Sequence, residues 1–385
     1  MKKAGLCVRY DCDNFGSMLQ ILATQKAINQ VGWNYEIIRY DKRTPWFYLT
    51  NVTRLFNPYF MKGKLETFEK NRKLKGYPEV QKGNAVRKQC IDKYRKKYIG
   101  PYSDVYRGYR TLKEGAEKYD AVIVGSDQLW TPAGIKSKFY NLLFVPDQIN
   151  KVSFATSFGV GEVPSSQKKM TTQYLKRINH ISVRETRGAE IVKELTGREV
   201  TVALDPTLLF TGEEWKSTFP EERVIDEPYI LAYFLGSNED HRDAVEQLQK
   251  DTGLRVVTIP FMDVFVEHDL YFGDKKLYEV GPVEFLNLIR GAEYICTDSF
   301  HGSVFSILNH KRFITFNRTN SSDKQTRNSR IDSLFGLLGL EQRRYQTGMR
   351  LKDVIDEPVD YDCVDQKLIE LRKETLRFLD HALNS

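Results

Sequence analysis

No apolar run in these 385 residues approaches the roughly 20 needed for a membrane-spanning helix, so no helical span is expected. Cysteine is scarce. Cys7, Cys12, Cys90, Cys296 and Cys363 are odd in number, scattered, and never at metal-ligand spacing. That pattern argues against a disulfide framework or a zinc site and suits reduced thiols in a cytosol. Lys2 and Lys3 are followed by no apolar run, because Arg9 and Asp11 interrupt it, and no secretory leader is expected. There is no solenoid-length repeat, no low-complexity tract, no Walker loop, no dinucleotide fingerprint and no recognised nucleic-acid motif. Acidic residues are the minority: 58 Lys and Arg against 51 Asp and Glu leave a net charge of +7. The excess favours acidic partners, among which nucleic acid, phosphorylated metabolites and anionic membranes all qualify.

What the chain does contain is α/β alternation over a length that suits two domains. Gly5–Val8 reads as a strand and the glycine-bearing stretch Tyr10–Ser17 as a polar loop. Leu19, Leu22, Ala23, Ala27 and Ile28 then recur at helical spacing up to Gly32, and Tyr35–Tyr40 completes a βαβ unit. The loop around Asn14, Gly16 and Ser17 resembles a phosphate or sugar cradle, with a plain structural turn as the alternative. Residues 44–118 differ in character, with aromatics such as Trp46, Phe56 and Phe60 giving way to Lys70, Arg72, Arg87, Arg95 and their neighbours. A helical insertion with a solvated charged face is the plainer reading; contact with nucleic acid or an anionic membrane is the sharper one. Ala121–Val124 is an apolar strand ending in Gly125-Ser126-Asp127-Gln128, whose polar groups can cap a turn or face a ligand. Arg184 follows a short strand, where it can fork onto a carboxylate or phosphate, or clamp a neighbouring acid. These elements predict one α/β domain over 1–212, a linker over 213–228, a second over 229–350, and a helical segment over 351–385 packing back on the first.

In the second half, Tyr294–Cys296 runs into Thr297-Asp298-Ser299-Phe300-His301-Gly302 and then an apolar helix. Ligands of open α/β sheets bind beyond the carboxyl ends of strands, where a following helix presents free N–H groups. Asp298 or Ser299 as a helix cap, with His301 packed, is the alternative. Downstream, the loop after Phe313–Asn317 carries Arg318, Lys324, Arg327 and Arg330.

The ordered set Asn14-Phe15-Gly16-Ser17, Val124-Gly125-Ser126-Asp127-Gln128, Ser182-Val183-Arg184-Glu185, Leu204-Asp205-Pro206-Thr207 and Thr297-Asp298-Ser299-Phe300-His301-Gly302 resembles the polysaccharide pyruvyl transferase family. The resemblance implies an α/β fold of two Rossmann-like domains facing a cleft, as in B-type glycosyltransferases, here with a basic helical insertion in the first and a C-terminal helix. It implies transfer of the enolpyruvyl group of phosphoenolpyruvate to two sugar hydroxyls, giving a pyruvate ketal and phosphate, with no cofactor and no metal. It assigns His301 as acid/base with Asp298 beside it. It places phosphoenolpyruvate on Arg184, Ser299 and Gly302, and the acceptor sugar near Asn14, Gly16, Ser126, Asp127 and Gln128. Many members carry an arginine two residues before the histidine, where this chain has Ser299; Arg330 and Lys324 are the expected replacements. A cytoplasmic enzyme follows, acting on a sugar or lipid-linked oligosaccharide, with room for peripheral contact with an anionic membrane and for a homo-oligomer, and with no nucleic-acid partner. The alternatives are a nucleotide-sugar glycosyltransferase on the same scaffold and a non-catalytic sugar-binding protein.

Overall fold

The computed structural model describes residues 2–50, 52–135, 138–318 and 329–385. Among them, the first sheet contains β1 (Lys3–Cys7), β2 (Asn34–Asp41), β3 (Tyr102–Arg107), β4 (Ala121–Gly125), β5 (Asn150–Thr156), β6 (His180–Val183) and β7 (Thr201–Val202), in the order β3-β2-β1-β4-β5-β6-β7. The second contains β8 (Tyr229–Tyr233), β9 (Arg255–Thr258), β10 (Lys275–Lys276), β11 (Tyr294–Thr297) and β12 (Arg312–Thr315), in the order β10-β9-β8-β11-β12. Every pairing is parallel. Parallel strands need crossover helices on the sheet faces, and β4 and β8 are accordingly buried at every residue. Strand order reverses once in each sheet, between β1 and β4 and between β8 and β11, which is where such sheets open a crevice for ligands. The architecture is two Rossmann-like lobes facing a cleft.

The stretch 44–118 is only partly an insertion. Its helices are Pro45–Thr50, Pro58–Leu74 and Pro78–Tyr98, but Tyr102–Arg107 is the edge strand β3 and Tyr109–Ala116 is the helix that follows it. The strand escapes sequence patterning because it is an edge: only Ser103 in it is buried, and its register against β2 shifts. Part of the basic charge is structural. The buried Arg87 donates to the carbonyls of Pro260 (2.9 Å) and Leu277 (3.1 Å), and Lys70 to those of Phe261 (3.2 Å) and Met262 (2.7 Å), all in the second lobe. The expected linker contains a short helix, Gly212–Thr218, held by a capping box between Thr211 and Glu214. The last helix, Tyr361–Asn384, runs back over the first lobe, where Thr375 Oγ1 accepts from Leu204 N (3.0 Å) and Asn384 Oδ1 from Trp33 Nε1 (3.1 Å).

The lobes share one core. Phe15, at the start of the helix after β1, stacks on Phe285 of the second lobe at 5.2 Å between ring centroids. Trp215, 1% exposed, meets Phe305 edge-on at 5.3 Å and donates Nε1–H to the Thr207 carbonyl. Truncating such a ring leaves a cavity and an unpaired carbonyl. Trp215→Ala is therefore expected to lower unfolding free energy by about 3–5 kcal/mol in urea titration; a loss below about 1 kcal/mol would show that this contact does not hold the lobes together.

Candidate active site

The switch-point crevice of the first sheet is lined by the loop after β1 and the loop after β4. Asn14 caps the helix Phe15–Gln30, its Oδ1 accepting the Ser17 N–H at 3.0 Å. Ser17 Oγ donates to Asp127 Oδ2 at 2.8 Å, and Asp127 Oδ1 accepts the Gln128 N–H at 2.7 Å. Asp127 has a left-handed backbone (φ 63°), a conformation short polar side chains tolerate. Burial disfavours its charge, but Arg184, the Gln128 N–H, His301 and Ser17 together hold its carboxyl below the usual range. Gly125 permits the close strand approach here: a Cβ would sit 2.0 Å from the Phe154 carbonyl oxygen. Ser126 is fully buried, donating to the Ala155 carbonyl at 2.8 Å.

In the second lobe the same crevice is closed from within by Asp298. Its two oxygens accept the Leu235 and Gly236 N–H groups, each at 2.7 Å, bridging the ends of β8 and β11. Ser299 Oγ caps the helix Phe300–Leu308 by accepting the Gly302 N–H at 3.2 Å, and a Cβ on Gly302 would meet Thr297 Oγ1 at 2.6 Å. Asp298, Ser299 and Gly302 thus build the turn that aims His301.

His301 crosses to the first lobe. Its ring lies so close to the start of the helix Phe15–Gln30 that a Cβ on Gly16 would stand 2.1 Å from Nδ1. Its Nε2 is 3.7 Å from Asp205 Oδ2, ion-pair distance but too long for a hydrogen bond. Asp205, fully buried after β7, also receives Arg184 Nη1 at 2.5 Å, and its other oxygen accepts the Thr207 N–H (3.0 Å) and hydroxyl (2.6 Å). Burial pushes its carboxyl up, yet His301, Arg184 and Thr207 outweigh that and hold it well below the usual range.

Around Phe300 the site turns cationic. The Arg184 guanidinium lies 4.7 Å from the Phe300 ring centroid and that of Arg330 5.6 Å. Both arginines are buried. Among the described residues, Arg184 Nε and Nη2, Arg330 Nε and His301 Nε2 have no hydrogen-bond partner. Burial, reinforced by the charges of Arg184 and Arg318, pushes the Arg330 guanidinium down to about 9. Arginine nitrogens without a partner also occur elsewhere, at Arg87, Arg290 and Arg343; what sets this place apart is that two guanidinium groups and an imidazole gather on one ring, an arrangement able to receive an anion.

The family model for polysaccharide pyruvyl transferase matches residues 14–320. The chain belongs to that family. Its chemistry is the transfer of the pyruvyl group of phosphoenolpyruvate to a polysaccharide sugar. A comparison with curated proteins returns no match. Among solved structures, the chain is similar to one described as a UDP-N-acetylglucosamine 2-epimerase from Listeria monocytogenes, 10% identical over 99% of this chain and 90% of that one, with a TM-score of 0.51. It is also similar to the MnaA–UDP complex of S. aureus, 13% identical over 92% and 86% of the two chains, TM-score 0.52. At such identities these likenesses concern the fold alone.

The structure gathers Asn14, Gly16, Ser126, Asp127, Gln128, Arg184, His301 and Arg330 around one cleft; Lys324 and Arg327 lie outside the described residues. Asp298 faces the backbone of the β8 turn, and the carboxylate near His301 is instead Asp205, which sequence reading placed in a motif without a role. Glu185, the neighbouring acid that Arg184 could have clamped, turns elsewhere: it accepts from Ser157 Oγ (2.9 Å) and the Phe158 N–H (3.1 Å), and Arg184 pairs with Asp205 instead. Burial pushes the Glu185 carboxyl up. No local signal marks Asp205 as the shared partner, because Arg184 and His301 stand 21 and 96 residues away and meet it only through the fold.

Asp205 titrates near the ordinary carboxylate value when unfolded and well below it when folded. Its stabilisation is therefore complete above about pH 4–5 and fades as pH falls below that range. Asp205→Asn should cost about 3 kcal/mol at pH 7, and thermal melts should show the gap to wild type closing in acid; a gap independent of pH would mean that Asp205 carries no charge-pairing role.

Proposed function

We propose that Arg184 and Arg330 hold the carboxylate and phosphate of phosphoenolpyruvate against Phe300, and that His301 moves the proton in ketal formation on a sugar held by Asp127 and Gln128. The observation that carries this reading is the set of unpaired guanidinium nitrogens converging beside an imidazole at the facing switch points. Arg330 supplies the cation that many relatives carry where this chain has Ser299. Ser299 caps a helix instead.

The chemistry requires two additions at one carbon. A sugar hydroxyl adds to C2 of the enol ether while C3 gains a proton and becomes a methyl group. The C2–O bond to phosphate then breaks, leaving an oxocarbenium-like carbon that the second hydroxyl captures. One hydroxyl proton ends on the methyl group and the other on the departing phosphate, so the step is redox-neutral. An imidazole can take the first proton and deliver the next, and such transfers contribute roughly 10²–10⁴-fold. Asp205, within ion-pair distance of His301 Nε2, favours the imidazolium at the moment it forms. Asp127, held as a carboxylate, accepts from an acceptor hydroxyl. Arg184 is anchored on Asp205 through one nitrogen, which leaves the rest of its fork for the donor. The acceptor belongs to a surface-polysaccharide precursor met on the cytoplasmic side, where phosphoenolpyruvate is made.

The test is phosphate release from phosphoenolpyruvate in the presence of candidate sugars. His301→Ala should lose at least about 100-fold in kcat. Arg330→Met should raise the KM for phosphoenolpyruvate by about 10–100-fold, as expected for loss of a charge-assisted contact, while the apoprotein melts no lower than wild type because a buried like-charge cluster is relieved. An unaffected His301→Ala removes His301 from the mechanism. Consumption of a nucleotide sugar with no response to phosphoenolpyruvate would overturn the reading in favour of glycosyl transfer.

A further inference from the structure

The outermost part of the insertion leaves apolar side chains uncovered. In the short helix Pro45–Thr50, Leu49 is 70% exposed; in the 3-10 turn Val52–Phe56, Phe56 is 83% exposed; in the helix Pro58–Leu74, Phe68 is 65% exposed. These three elements touch in succession. The long helix shows which way the surface faces. Leu74 is its one buried residue and packs with Val80 and Phe261, while Lys70 ties to the second lobe. At about 100° per residue, Met61, Leu65, Phe68 and Arg72 fall together on the side opposite Lys70 and Leu74. One face of the helix is docked. The other carries an apolar stripe directed away from the protein. The helix is also pinned at its start, where Asn57 Nδ2 donates to the Pro132 carbonyl (3.2 Å), so the stripe is presented on a fixed support.

Charge decides what the stripe meets. Between Lys42 and Lys75 basic residues outnumber acidic ones nine to two, a local excess of +7 that equals the net charge of the whole chain. Lys62, Lys64, Arg72, Lys73 and Lys75 are all exposed. A two-fold contact with a second copy would bring the same cationic segment against itself, and like charges facing each other weaken such an interface. A nucleic acid would neutralise the charge and could stack on the exposed rings of Tyr48, Phe56 and Phe68, but it would leave the exposed aliphatic side chains of Leu49, Val52, Leu55 and Leu65 among them without a partner. An anionic lipid bilayer satisfies both features: lysines and arginines at the phosphate level, with leucine and phenylalanine entering the acyl boundary.

We infer that the exposed face of Pro45–Thr50, Val52–Phe56 and Pro58–Leu74 is a docking surface for an anionic phospholipid bilayer, with Leu49, Phe56, Leu65 and Phe68 inserting and Lys62, Lys64, Arg72 and Lys73 on the headgroups. No step of the transfer chemistry is needed for this surface, and the vesicle-binding measurement that tests it contains neither donor nor acceptor. The full chain is sedimented with phosphatidylcholine vesicles with and without phosphatidylglycerol. Partitioning should be at least about tenfold higher with the anionic lipid and should fall as salt is raised. Phe56→Glu/Phe68→Glu, at exposed positions outside the cleft, should lose at least about tenfold in partitioning while keeping the wild-type melting temperature and activity on a water-soluble sugar. Lys62→Glu/Lys64→Glu should weaken binding to the anionic vesicles alone. Equal binding to both lipids, or full binding by the phenylalanine variant, overturns the proposal. A wild-type dimer in solution that the phenylalanine variant dissociates would also overturn it, assigning the face to a second copy.

Discussion

A guanidinium buried with one partner organises this molecule's centre. Arg184 is 4% exposed and is paired through one nitrogen with Asp205, itself buried. Two opposite charges taken out of water are tolerable only in close contact and with their remaining hydrogen-bonding capacity met. Asp205 meets its share through Thr207 and the nearby His301, whereas Arg184 does not. Arg330, also buried and beside the same phenyl ring, adds a second charge of the same sign. Such an arrangement is unfavourable in the empty protein, and the proposed binding of an anionic donor there would offset that cost.

The two lobes contribute unlike parts. The first supplies Asp127, Arg184 and Asp205 from the carboxyl ends of β4, β6 and β7. The second supplies His301 and Arg330, with Asp298 bonding the β8 and β11 ends together beside the turn that carries His301. Gly16 is the point of contact between them. Lacking a side chain, it lets the His301 ring approach the first lobe's helix to a distance that any Cβ would prohibit. The family resemblance and the geometry meet here: the glycine and the histidine belong to motifs 285 residues apart.

The insertion divides in a similar way. Its inner helix, Pro78–Tyr98, uses buried Arg87 to bond carbonyls of the second lobe, while the outer helix, Lys70 apart, keeps its charge and much of its apolar surface outside. One compositional feature thus has two physical roles, separated by which face of a helix hairpin each residue occupies.

Read alone, the residues of this chain determine the α/β class, two lobes, the polar loops at strand ends and the motifs of the family. These are local matters: an apolar run long enough for a buried strand, a cap, a glycine after a helix. The edge strand β3 stayed hidden because an edge has one covered flank and little apolar pattern. The role of Asp298 stayed hidden because a carboxylate three residues before a histidine looks like its partner along the chain, while in space it turns to the Leu235 and Gly236 amides. Only the tertiary structure could choose Asp205 for that place and leave Arg184 Nε and Nη2 and Arg330 Nε without a partner among the described residues, around one ring. Which charges meet depends on the packing of two sheets through a shared core, and that distance is not written in sequence separation.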